Sequence, residues 1–202
     1  MGIFSKLFAK KFIDTEALDN LAIAIASNSI EGGALARKYM SFSANDELQK
    51  EQMMHVDFVF IYFLLHIASR EYTSMFGPAR NREFMNLLFP RIMHLTLSSF
   101  LPGFSELMKD TDSNEYSKFL QELLTSIKKR FDEYDLTYSK CKDIITSEME
   151  LYSDKSLFFE AATEVISQTD QKTEPHYLGL ITLITLDAIK KVDFPTKLAA
   201  IG

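Results

Sequence analysis

An all-α fold, a single-domain bundle of about six to eight helices with no sheet, is what this sequence predicts, and three observations carry the prediction. Only 7 glycines and 5 prolines interrupt 202 residues, which suits long helices joined by short turns. Hydrophobic residues make up 47% of the chain at a mean hydropathy of -0.05, enough apolar material for a sizeable core and too much for a disordered chain. Long stretches repeat apolar residues at steps of three and four, the period of a helix face rather than of a strand.

The elements follow in order. Thr15 to Ile30 is alanine-rich with Asp14 or Thr15 as its cap, and Gly32-Gly33 predicts an end or a bend before Ala34 to Met40. Ser43 opens the next helix, and from Asn45 to about Met75 no glycine or proline intervenes. Leu48, Val56, Val59, Phe60, Phe63 and Ile67 form one stripe along it. Gly77-Pro78 stops that helix and starts another running towards Phe100, with a kink expected at Pro90. Leu101-Pro102-Gly103 is a turn, Phe104 to Met108 a short apolar piece, and Asp112 or Ser113 a cap. Leu120, Leu124, Ile127, Phe131, Tyr134 and Tyr138 then alternate steps of four and three, the seam of two nearly antiparallel helices. Ser147 with Glu150, or Asp154, caps the helix that holds Leu157 to Ser167. Glu174-Pro175 opens the last long helix, where Tyr177 to Ile189 is apolar almost all round and predicts a central buried element.

Charge and cysteine content narrow the classes of partner. With 28 acidic against 22 basic residues the net charge is -6, which repels phosphate backbones, so no nucleic-acid partner is expected. Cys141 is the single cysteine, which excludes an intrachain disulfide framework and a multi-thiolate zinc site and points to a reducing cytoplasm. Residues 1-13 combine Lys6, Lys10 and Lys11 with Ile3, Phe4, Leu7, Phe8 and Phe12, an amphipathic arm expected to pack on its own domain, with membrane contact as the alternative. Lys6 breaks the myristoylation pattern after Gly2, and Asp14, Glu16 and Asp19 interrupt any secretory core. The most apolar run, Val56 to Ala68, contains Asp57 and His66 and is shorter than the roughly 20 residues of a bilayer span, so it reads as a buried helix.

Candidate chemistry is sparse. His55 and His66 share a helix face, but a spacing of 11 residues separates them by roughly 16 Å along the axis, too far to hold one metal ion. Glu51 could join His55, yet the paired Glu-x-x-His signature of di-iron bundles is missing, and no metal site or cofactor is predicted. Haem ligation by His66 or His94 is the alternative to a packed core histidine. No Gly-x-Ser-x-Gly elbow, phosphate loop, zincin or dinucleotide motif occurs, and Cys141 between Lys140 and Lys142 reads as a bystander thiol, so no catalytic residue is assigned.

The arginines are more suggestive. Four of the six, Arg70, Arg80, Arg82 and Arg91, fall within 22 residues, whereas Ser105 to Asp170 carries 15 acids against 8 bases. Arg80 and Arg82 sit in the first turn after Pro78, where free amides and the positive helix end can join a guanidinium in gripping an anion. Met53, Met54, Met75, Met85 and Met93 lie in the same region and could line a pocket for an apolar ligand, or fill core. The ligand-binding candidates are therefore Arg80, Arg82, Arg91, His66 and His94. The sequence as a whole reads as a noncatalytic cytoplasmic binding or interaction module that self-associates or meets a protein partner. A carrier or sensor of a small anionic or apolar ligand is the second reading, and a histidine-dependent metalloprotein or enzyme the third.

Overall fold

The longest helix of the protein is also its axis. The computed structural model describes residues 13–100, 114–141 and 156–202, which form seven helices and, among the described residues, no strand. These are α1 (Thr15–Arg37), α2 (Asp46–Phe76), α3 (Pro78–Phe100), α4 (Asn114–Tyr138), α5 (Leu157–Ser167), α6 (Pro175–Val192) and α7 (Phe194–Ile201). The first twelve residues of the basic arm lie outside the described set, as do the Pro102-Gly103 turn, the 104–108 piece, and the caps placed at Asp112, Ser113, Ser147 and Asp154.

Most boundaries have local causes. Asp14 accepts a hydrogen bond from Ala17 N at 2.9 Å and caps α1. Asn45, rather than Ser43, caps α2 by accepting from Glu47 N and Leu48 N, so that helix starts at Asp46. Gly77 ends it at φ 85°, a backbone that side chains disfavour, and Pro78 starts α3. The third helix continues through Pro90, whose ring is exposed. Ser156 caps α5 through Phe158 N, and Pro175 occupies the first turn of α6.

Every residue from Val56 to His66 of α2 is buried, because α1, α3, α4, α5 and α7 pack around that helix. By length and composition α2 could cross a membrane, yet 67% of its most apolar window is inside the protein, so the helix serves as core. The central place expected for the 177–189 segment thus belongs to α2. Helix α6 lies against α1 and α5 with Leu183 60% exposed, its uniform apolarity in sequence hiding an outward face. The seam of α4 is as expected in the described part, with Ile127, Phe131 and Tyr138 buried, while the side chain of Leu120 is outside the described set. Leu48, placed on the stripe of α2, lies in the first turn of the helix and is exposed.

Gly32 and Gly33 do not break α1, which runs through both. Their role is steric. A Cβ on Gly32 would lie 2.9 Å from the ring of Phe60, and one on Gly33 would overlap the carboxylate of Asp57. The glycines let α1 approach α2 closely enough for Arg37 to form an ion pair with the buried Asp57. Burial pushes the Asp57 carboxyl up from 3.8 to about 6, with the Arg37 guanidinium opposing.

Candidate functional site

The residues singled out in sequence do not converge. On α3, Arg80 and Arg91 share an azimuth but stand three turns apart, and Arg82 points nearly opposite. Arg80 packs over the ring of Phe76 at 5.0 Å and reaches the carbonyl of Gly202 at 3.4 Å, Arg82 is exposed, and Arg91 pairs with Asp19 at 2.6 Å. His94 is exposed in a shallow groove with Arg91 and Ile23. Met93 is core and Met75 is exposed, so the five methionines make no common pocket.

His66 is 1% exposed and fixed on both sides. Its Nδ1 meets Asp135 Oδ1 at 2.7 Å, and its Nε2 faces Arg70 Nη1 at 3.3 Å. Since a guanidinium can only donate, Nε2 accepts and Nδ1–H donates to Asp135, which assigns the tautomer from the network. The Asp–His pair is oriented as a catalytic base would be, but a cation occupies the position of the nucleophile, so the pair ties α2 to α4. His55 has Gln168 Oε1 at 3.2 Å from Nδ1 and Glu51 at 4.0 Å from Nε2. Among the described residues no three His, Cys, Asp or Glu side chains are grouped to hold a metal ion. Burial and Glu160 push the Cys141 thiol up against the pull of Arg70, the reverse of what its two lysine neighbours suggest.

A cavity of about 330 Å³ lies elsewhere, between the N-terminal half of α2, the end of α3 and the middle of α4. Met54, Phe58, Tyr62, Leu97, Phe100, Leu123 and Ile127 make its walls apolar. The aromatic rings support one another: Tyr62 stands 5.8 Å from Phe58 and 5.0 Å from Tyr134, and Phe58 is 6.1 Å from Phe100. Polar groups sit around this lining: His55, Gln168, Ser126, Tyr134 and Arg130. Arg130 is exposed and makes no ion pair with a described residue. Tyr134 donates to Glu164 Oε1 at 2.5 Å, which together with burial holds its phenol protonated.

An apolar cleft with a few polar groups at its edge is the usual form of a small-molecule site, and its volume falls at the lower end of the roughly 300–1,000 Å³ typical of such sites. No family model, curated protein or solved structure matches the chain, so geometry alone bears on function.

Proposed function

We propose that the protein is a noncatalytic binding protein, a carrier or sensor that takes an apolar molecule with an acidic group into the α2–α3–α4 cleft. The cleft itself is the observation that supports this: contiguous apolar walls around about 330 Å³, with the Arg130 guanidinium at one edge. Each methylene seated there contributes about 0.8 kcal/mol, so a chain of about ten carbons supplies roughly 8 kcal/mol before the cost of association. A carboxylate or phosphate beside Arg130 adds a charge-assisted hydrogen bond. Among the described residues no hydrogen bond joins His55 to Ser126 or Tyr134, the hydroxyls of the lining, since His55 Nδ1 meets Gln168 and Tyr134 donates to Glu164, which favours holding over turnover. A cytoplasmic location accords with the one thiol and belongs to the same reading.

Displacement of a solvatochromic dye by lauric acid tests it. Micromolar displacement is expected for the wild type. Ser126 is exposed and lines the cleft, so Ser126→Trp should leave the fold intact and weaken binding at least tenfold. Absence of displacement, or equal binding by the variant, refutes the site. Self-association is a separate proposal that rests on Ile23, half-exposed in the α1–α3 groove; light scattering of Ile23→Asp against the wild type reads it.

A further inference from the structure

The groove between α1 and α3 is a shallow strip of about 480 Å³, separate from the cleft. Ala22 and Ile23 of α1 and Pro90 and Leu95 of α3 give it an apolar floor, with the Asp19–Arg91 ion pair at its edge. Ile23 stands 51% exposed along it. Glu16 and Asp19 lie within about 40° of Ile23 in azimuth, so this exposed side of α1 presents two acids leading up to an apolar patch.

The chain itself supplies an occupant. Residues 1–12 lie outside the described set, but the point from which they depart is fixed, because Ile13 packs on the core and Asp14 N donates to the carbonyl of Ile201 at 3.2 Å. From Asp14 to Ile23 the rise along α1 is roughly 14 Å, within the roughly 18 Å that twelve helical residues span. The chemistry of the arm is complementary to that path. Phe4, Leu7 and Phe8 have the spacing of one helical stripe, and Lys6, Lys10 and Lys11 bring positive charge with no acid to a surface that exposes Glu16 and Asp19. So short a helix is marginal without a surface to lie on, and its attachment at Ile13 gives a high effective concentration, so that modest contacts suffice.

We propose that residues 1–12 fold back along α1 as an antiparallel helix and seat Phe4 and Phe8 in the α1–α3 groove. A hairpin that turns at residues 13 and 14 brings Lys11 level with Glu16 and Phe4 level with Ile23. The apolar stripe then meets the apolar floor. This seat is independent of the cleft reading, and it bounds the self-association proposed above: Ile23 serves one occupant at a time, so a second copy can claim it only by displacing the arm.

Limited trypsin digestion of the full chain tests the seat. Lys6, Lys10 and Lys11 are the only basic residues before Arg37, so mass spectrometry separates loss of the arm from cuts within the domain. Cleavage at these lysines samples the undocked arm, and Ile23→Asp, at a half-exposed position the fold tolerates, should speed it about tenfold. Phe4→Ser combined with Phe8→Ser should do the same while cleavage within the domain stays at the wild-type rate. Protection of the wild type should not change with protein concentration, as befits a contact within one chain. Equal cleavage of the wild type and Ile23→Asp overturns the seat. Protection that grows with protein concentration assigns the groove to a second copy, and protection that arises only with anionic phospholipid vesicles assigns the arm to a membrane surface; either result overturns it as well. Dye displacement from the cleft should be the same in Ile23→Asp as in the wild type, so failure of the seat leaves the cleft reading standing.

Discussion

The contact between Gly33 and Asp57 offers the sharpest test of the packing. Alanine at position 33 gains about 1 kcal/mol of helix propensity, so on an exposed face the substitution would stabilise. In this position the added methyl overlaps a carboxylate that is itself held by Arg37 and backed by the α2 backbone, whose Asp57 Cα would lie 3.1 Å away. Overpacking of this kind costs about 1–3 kcal/mol, and displacing a buried carboxylate from its partner about 3–5 kcal/mol if the pair separates fully. Partial separation leaves a net loss of about 2–3 kcal/mol. At this chain length that lowers Tm by roughly 4–12 °C. Urea denaturation at pH 7.5 should show it as a lower midpoint at constant slope. A double-mutant cycle with Asp57→Ala isolates the contact: once the carboxylate is gone its space accepts the methyl, and Arg37, at 22% side-chain exposure, can turn to water. The cost of Gly33→Ala should then vanish or change sign. A neutral or stabilising Gly33→Ala in the otherwise native protein would refute the close crossing of α1 and α2.

Two further outcomes follow from buried ionisable groups. The carboxyl of Asp57 is raised from 3.8 to about 6, so its contribution to stability is full below pH 4 and is lost as pH rises through 6, a change of about 3 kcal/mol. Asp57→Asn should flatten that part of the profile, which urea titrations at pH 4, 5, 6 and 7 will show; an unchanged slope would mean that another group produces it. His66→Phe should cost about 2–4 kcal/mol by leaving Arg70 and Asp135 without their shared partner, yet leave dye displacement from the cleft unaltered, because the imidazole does not line that cavity. Weakened ligand binding in a folded His66→Phe protein would return His66 to the site.

Helix boundaries are legible in the sequence wherever their cause is local. Gly77-Pro78, Glu174-Pro175 and Asp14 act on neighbours within a turn, and the Ile127, Phe131, Tyr138 seam is a matter of period alone. Gly32 and Gly33 resist the same reading, because the reason for them is Phe60 and Asp57 on another helix. The site is hidden for a related reason. Arginines close in sequence point to α3, where helical geometry scatters them, while the cleft draws its walls from three helices and Gln168. Arg130 carries no signal of its own, since it lies inside an acidic stretch.

The position of α2 decides how the protein comes apart. Five neighbours complete their apolar faces on this one rod, and both clusters of core side chains draw on it, from Val56, Val59 and Phe60 on one flank to Phe58, Phe63 and Tyr72 on the other. Helix α6 still packs on α1 and α5 without it, but both core clusters lose their shared element, so proteolytic fragments lacking α2 should not fold autonomously and melting should be a single cooperative event. Occupancy of a cleft built against the rod would then register in the slowest-exchanging amides of α2, far from the bound molecule.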